Sequence, residues 1–395
     1  MNCLVELYDG EQLNNIIDIL AFSPKEAVFL YDAKEVSFPS LKRIEEACLL
    51  RLPAIRFSFV EIGAMGLHEI KRQCKRIIWK HPGCYFDITG GDQLHAIGAY
   101  LACIDTYTPI FQVDLPRRRL LSVSGCKALE ESFSLPKLSM DVLLALHGAR
   151  VGGHGHPQPQ GDLFPAILKF SRAVFDDVAG WKDFCLYLQT GCSSYSPEWD
   201  KLRVNDLPLS LTGANQRELS LNRIFFELAV SCGFLQEVTE NGLTLSFRFL
   251  DAAVKRYMTD FGTWLELFCY IELKNAGCFD DVRMSVKVDW AGNTRQKVEV
   301  TNEIDVTCFY GIHPVFISCK LSEPSSDALQ ELSVYRSYFG GAHSGCVLAT
   351  LGTPNRERSH LEHRAEEMGI VIAGGNALRR GEFAKAVRDA ARLTR

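Results

Sequence analysis

At 395 residues, with 47% hydrophobic and 23% charged residues, the chain has the composition of an ordinary soluble globular protein. That length predicts two or three domains, each able to bury its own core. The formal net charge of −5 excludes a global basic field for nucleic acid. Attraction of that kind would fall to local patches such as Lys71-Arg72-Gln73-Cys74-Lys75-Arg76 and Arg117-Arg118-Arg119, each equally readable as a solvated surface. The fourteen cysteines are scattered singly, with no Cys-x-x-Cys pair and several inside apolar runs, as at Cys103, Cys269, Cys308 and Cys346. This usage fits buried free thiols in a reducing cytoplasm rather than a disulfide scaffold. The N-terminus shows no signal-peptide pattern, and no run approaches about eighteen apolar residues, so a cytoplasmic protein with no membrane span is expected.

In chain order, strand-like runs at 3–7, 27–31, 54–59, 84–88 and 110–113 alternate with helical patterns at 11–20, 40–50, 67–80 and 93–105. The alternation predicts an α/β, Rossmann-like parallel sheet with helices on both faces, whose ligands bind beyond the carboxyl ends of the strands. The turn Asp87-Ile88-Thr89-Gly90-Gly91-Asp92-Gln93 falls at such an end, directly before a helix. Residues 136–255 change character. Helices are expected at 140–147 and 164–178 around a Gly/Pro-rich loop at 152–161, and that loop holds His154 and His156 without a third metal ligand nearby. A helix at 220–232, stopped by Gly233, precedes a hairpin of 234–238 and 243–249 around Asn241-Gly242, a winged-helix shape. With no basic recognition helix, a connecting role is expected of it.

From 251 onward the pattern predicts a long helix through Trp264-Leu265-Glu266-Leu267, then strands at 282–288, 296–301 with 303–308, and 314–319. A helix at 326–339, a strand at 345–350, a helix at 356–368 and a short strand at 371–373 follow. In Asn302-Glu303-Ile304-Asp305-Val306 the two acids share one strand face, and Ser318 and Lys320 share a face of the next strand. A carboxylate beside a lysine on adjacent strands is the minimal kit for metal-assisted phosphodiester hydrolysis. Gly374-Gly375-Asn376 lacks a Walker lysine and reads as a turn.

Phe261-Gly262-Thr263-Trp264-Leu265-Glu266, the strand of Asp305, Phe316-Ile317-Ser318-Cys319-Lys320 and Phe339-Gly340-Gly341, taken in that order, resemble PD-(D/E)xK (restriction-endonuclease-like) domains fused to CARF sensor domains in CRISPR ancillary nucleases. Asp87-Ile88-Thr89-Gly90-Gly91 resembles the Thr-Gly-Gly turn of those sensors. The resemblance implies a CARF domain at 1–135, a winged-helix-like connector at 136–255 and a restriction-endonuclease-like α/β domain at 256–395. It implies a homodimer gripping cyclic tetra-adenylate, whose two-fold symmetry matches the dimer, as an activator of DNA and/or RNA cleavage in type III CRISPR antiviral defence. Glu266 and Asp305 would bind Mn²⁺ or Mg²⁺, and Lys320 would contact the scissile phosphate or attacking water. Thr89, Gly90 and Gly91 would present backbone donors to the ligand, with Gln93 beside them and Tyr8, Asp9 and Gln12 lining the same cleft.

Ser318 stands where the wider superfamily has an acid, so the metal site is a charge short unless Glu303 or Glu331 replaces it. Mn²⁺, which accepts mixed ligands more readily, is then expected to serve better than Mg²⁺. Asp92 is likewise unexpected beside a bound phosphate unless it points away. Three other readings stand beside this one: a cyclic-nucleotide sensor whose nuclease-like domain is inactive, a constitutive repair or restriction nuclease, and a ring nuclease that cuts its own activator.

Overall fold

The structure, a computed structural model, describes residues 1–63, 66–196, 201–213, 216–290, 301–323, 326–352 and 358–392. Most of the expected strand at 296–301 and the start of the helix at 356–368 lie outside these residues. The strands are β1 (Cys3–Leu7), β2 (Glu26–Tyr31), β3 (Arg56–Glu61), β4 (Tyr85–Asp87), β5 (Ile110–Asp114), β6 (Arg119–Ser124) and β7 (Arg150–His154). They continue as β8 (Arg203–Pro208), β9 (Ser210–Thr212), β10 (Glu218–Ser220), β11 (Leu235–Asn241), β12 (Thr244–Phe249), β13 (Asp280–Asp289), β14 (Thr301–Tyr310), β15 (His313–Lys320), β16 (Gly345–Thr350) and β17 (Ile370–Gly374).

Two six-stranded sheets dominate this α/β fold. The N-terminal one has the order β3-β2-β1-β4-β5-β6 and is parallel except for β6, which runs antiparallel to β5 and was not expected from the sequence. Its central strand β1 is buried along its whole length because helices cover both faces. The helix Leu67–Lys80 shows how: Ile70, Cys74, Ile77 and Ile78 form one buried stripe, and its lysines and arginines face water.

The second sheet has the order β17-β16-β15-β14-β13-β7. Its edge strand β7 corrects the sequence reading, which took 152–161 for a flexible surface loop. Arg150–His154 instead pairs antiparallel with β13, and Gly155 N–H donates to Ser285 O at 2.8 Å. Gly152 lies close against Asp289 of β13, where a Cβ would come within 3.1 Å of the Asp289 Cβ, and the two glycines made the strand look like a loop. The single long helix expected after 251 is two, Ala252–Met258 and Thr263–Ala276.

Packed on the C-terminal sheet is a unit made of the helices Phe164–Asp176 and Val178–Tyr195, the helix Arg223–Ser231, the ribbon β9–β10 and the sheet β11-β12-β8. Its wing carries Glu237 and Glu240, paired with Arg203 and Arg223. An acidic, internally neutralised wing does not suit a phosphate backbone. Phe170, Trp181, Phe225 and Phe234 of this unit pack with Trp264, the Phe170 and Trp264 ring centres lying 4.2 Å apart. The helix Thr263–Ala276 is therefore buried on nearly every face, with Glu266 the exception in its first turn.

A second apolar core runs without a break from the N-terminal sheet to the C-terminal one. It passes through Leu143 of the helix Met140–Leu146 to Phe316, Leu332 and Phe339. The helix Ser326–Phe339 thus has one end in the C-terminal sheet and the other against the N-terminal domain, where the Phe339 and His147 rings meet edge to face at 5.7 Å.

Candidate active site

The backbone ladder between β14 and β15 runs from Tyr310–His313 to Val306–Ile317 and stops there. Beyond that pair the strands fork, and Asp305 occupies the fork. Its Oδ2 accepts the Cys319 N–H at 2.8 Å and the Ser318 hydroxyl at 3.3 Å, donors released by the end of the ladder. Lys320 Nζ lies 3.7 Å from the same oxygen. From the other side Glu266 Oε2 accepts a hydrogen bond from Ser285 Oγ at 2.8 Å. Ser285 is a buried β13 residue with φ of 48°, a left-handed kink that disturbs the alternation of the strand.

Burial pushes the Glu266 carboxyl up to about 8, and the nearby Asp305 adds to this, as do Asp260 and Glu303. Asp305 is also raised, first by burial. Lys320 and the Cys319 amide oppose that shift, while Glu331 adds to it. Two neighbouring buried carboxylates, both raised, fit a hard divalent cation, whose charge would relieve both and whose oxygen preference matches the acids and the Ser318 hydroxyl. Glu266 and Asp305 are the residues that would hold it.

The two substitutes considered for the missing acid sit differently. Glu303 points along the same face and fills the space over Gly155, where an added Cβ would come within 2.0 Å of its Oε1. Glu331, on the helix Ser326–Phe339, accepts the Tyr335 hydroxyl at 2.9 Å. That hydroxyl also lies 2.9 Å from the Glu303 carbonyl oxygen. Glu266, Asp305, Ser318, Lys320, Glu303 and Glu331 therefore belong to one neighbourhood. Among the described residues, however, the groups of three ligand atoms that close within 4.8 Å of one another lie in the N-terminal domain instead.

Sequence reasoning missed Ser285, Tyr335 and a cluster at the start of the Glu266 helix. There His156 Nε2 lies 3.1 Å from Thr263 Oγ1 and 3.7 Å from Asp260 Oδ2. His154 Nδ1 meets the Met284 carbonyl oxygen at 2.9 Å. The two histidines thus serve different partners in the C-terminal domain. No spacing rule links residues so distant in sequence.

In the N-terminal domain the turn after β4 packs under the end of β1. A Cβ on Gly90 would fall 2.3 Å from Leu7 O, so only glycine allows this approach. The hydrogen bonds change what the turn offers. Thr89 N–H donates to Asp87 Oδ1 at 2.7 Å, and Gly91 N–H donates to Tyr8 O at 2.9 Å. The Thr89 hydroxyl donates to Asp87 Oδ1 and accepts the Val113 N–H. Gly90 is the member of the three whose amide is not so engaged. Asp92 is turned away as the N-cap of the helix Gln93–Thr106, accepting the His95 N–H at 2.7 Å, and Gln93 follows it exposed on the first turn.

Asp9 is held by Asn14 and Asn15, and Gln12 Nε2 donates to Tyr8 OH at 3.0 Å. Beside them a cleft of about 410 Å³ is lined by Asn14, Thr89, Gln112, Arg117 and, from the C-terminal domain, His343. The basic patches are only partly neutralised: Lys71 and Lys75 share Asp105, and Arg117 and Arg119 share Asp114.

Residues 251–394 match the family described as "Card1-like, endonuclease domain". The whole fold is similar to protein VC1899 from Vibrio cholerae, with 18% identity, a TM-score of 0.73 and coverage of 99% of this chain and 98% of that one. It is also similar to Can2 from Sulfobacillus thermosulfidooxidans, solved with cyclic tetra-adenylate, at 14% identity, TM-score 0.65, and 98% and 99% coverage. A type III CRISPR defence DNA nuclease activated by cyclic oligoadenylate aligns at 15% identity and TM-score 0.50, over 89% of this chain and 46% of that one. No curated protein matches the chain in sequence.

Proposed function

We propose that this chain, whose residues 251–394 form a Card1-like endonuclease domain, is a metal-dependent nuclease switched on by a cyclic oligoadenylate in type III CRISPR defence. One observation carries the reading: Asp305, held at a strand fork by the Cys319 amide, has Lys320 at 3.7 Å and is electrostatically coupled to Glu266. When bound there by Glu266 and Asp305, Mn²⁺ or Mg²⁺ would supply a hydroxide nucleophile and offset charge on the phosphate. The chain's own groups do the rest. Ser318 and the Cys319 amide orient Asp305, Lys320 takes the phosphate or the attacking water, and Ser285 aims Glu266. Ser318 remains the neutral member of the set, with Glu303 and Glu331 in reserve.

The activator, with cyclic tetra-adenylate the first choice because it was solved with the similar Can2, would sit over Thr89, Gly90 and Gly91. Tyr8, Asp9, Gln12 and Gln93 would border it. A two-fold ligand calls for a homodimer. The helix Gln93–Thr106 supports one, since Leu94, Ile97, Tyr100, Ile104 and then Tyr107 leave an apolar stripe on the surface. Ligand in the cleft would press on His343, and the helix Ser326–Phe339 ahead of it carries Glu331 and Tyr335 into the nuclease site. Fourteen free cysteines, all but two of them buried, suit a cytoplasmic protein, and no helix among the described residues is long and apolar enough to cross a membrane.

The test incubates the protein with cyclic tetra- or hexa-adenylate, Mn²⁺ or Mg²⁺, and labelled single- and double-stranded DNA and RNA. Ligand- and metal-dependent cleavage, lost in Asp305→Ala and Lys320→Ala, is expected. Cleavage that ignores the nucleotide would point to a constitutive nuclease instead. Tight binding without cleavage under any metal would favour a pure sensor, the reading that the neutral Ser318 supports.

A further inference from the structure

Beneath the Thr89-Gly90-Gly91 turn lie three carboxylates that the nuclease reading does not use. Glu6 on β1 and Asp87 on β4 are direct partners in the parallel ladder, so both side chains leave the same face. Asp18, from the short helix Ile17–Phe22, meets them there. They are 3%, 1% and 1% exposed respectively, and one oxygen from each lies within 4.8 Å of the others. Glu6 Oε1 and Asp18 Oδ2 have no hydrogen-bond donor. The groups that act on Glu6 and Asp87 are each other, Asp18, Cys48 and Thr89, none of them cationic.

Three like charges buried together without a counter-charge cost several kcal/mol each, so something must neutralise them. Two protons or one divalent cation would suffice, and one oxygen from each acid lying together, with Glu6 Oε1 and Asp18 Oδ2 left without a donor, makes a ligand set for the cation. Asp18 Oδ1 accepts the Ile19 N–H at 2.8 Å, and Asp87 Oδ1 accepts both donors of Thr89. These donors engage one oxygen of each acid, and Asp18 Oδ2 is left without a donor.

We propose that Glu6, Asp18 and Asp87 form a buried site for a hard divalent cation, filled by Ca²⁺ or Mn²⁺ in preference to the reluctantly dehydrated Mg²⁺. The ion ties β1, β4 and the overlying helix together directly below the sensor turn. Its influence extends one bond further. Asp87 holds Thr89, and Thr89 Oγ1 takes the Val113 N–H at 2.7 Å, so the ion also fixes how β4 and β5 open at the cleft.

The nuclease carboxylates would mask this ion, so the test removes them first. A full-length Glu266→Gln/Asp305→Asn protein is loaded separately with Ca²⁺ and Mn²⁺, passed over chelating resin, and its metal measured by mass spectrometry. Retention of about one ion per chain is expected, together with a fall in thermal midpoint of about 5 °C or more on chelation. Adding Asp18→Asn abolishes retention, with Glu6→Gln as the second variant should the first not fold. The proposal is overturned if the double variant holds no ion and its midpoint ignores the chelator. It is equally overturned if metal persists after Asp18→Asn. None of these outcomes depends on whether the chain is a nuclease.

Discussion

Each of the two large sheets buries acidic side chains, with opposite consequences. In the N-terminal sheet Glu6 and Asp87 form the last pair of the β1–β4 ladder, sealed from solvent, and Asp87 spends an oxygen on the Thr89 turn. In the C-terminal sheet Asp305 sits where the ladder ends, and the liberated Cys319 amide, the Ser318 hydroxyl and the partly exposed Lys320 all converge on it. Both acids stand where a ladder ends, so pairing alone does not separate them. At Asp305 a cationic partner and access to solvent meet the free donors at one point, and chemistry becomes possible; Asp87 has neither.

Exchanging the roles of the two aspartates is the strongest way to break this contrast. Asp305→Ala, and separately Lys320→Ala, should lower activated cleavage by about 10³-fold while circular dichroism and thermal midpoint stay near wild type. Asp87→Ala should behave conversely, lowering stability by about 1–3 kcal/mol in denaturant titrations because the Thr89 N–H and hydroxyl lose their acceptor. Comparable activity losses with unchanged stability in both would sink the distinction.

The next effect concerns pH. Glu266 is raised to about 8, so the folded, metal-free protein holds a proton that the unfolded chain has released. Stability therefore falls as pH rises from about 4.5 towards 8. Melting curves in chelator should show that decline, Glu266→Gln should flatten it, and metal binding should tighten over the same interval as the proton leaves.

Smaller effects sharpen the picture. Ile97→Glu on the exposed stripe should shift the protein to monomer in sedimentation and weaken activator binding about tenfold or more. Ser318→Ala should cost about threefold to tenfold in cleavage, since Asp305 keeps the Cys319 amide when the hydroxyl is lost. Ser318→Asp should tighten Mn²⁺ binding while destabilising the metal-free protein. Gly341→Val should have the smallest reach. Its side chain would press on Glu11, within 2.7 Å of the added Cβ, and lower the activated rate a few-fold while basal cleavage is untouched.

The regular elements were legible where one periodicity held. The helix Leu67–Lys80 and the strand Gly345–Thr350 match their patterns residue for residue. β7 was not, because Gly152 and Gly153 carry no side-chain pattern and its identity as a strand comes from β13 beside it. β6 and the helix Phe383–Arg392 were missed as well, short pieces whose burial depends on partners elsewhere. In the candidate site the acids and Lys320 could be named from alternation on two strands. Ser285 could not, since a kink at φ of 48° turns it toward Glu266, and no sequence rule announces that kink.

By itself the sequence determined the two α/β units and the order helix-Glu, strand-Asp, strand-Lys, because periodicity is a local property of the chain. Tertiary structure alone decided that Asp305 stands where the β14–β15 ladder ends, that Asp92 caps a helix, and that His343 reaches the sensor cleft. Those are facts of pairing and packing between residues far apart in the chain. A carboxylate's role depends on which donors, charges and solvent surround it, and the fold alone brings those together.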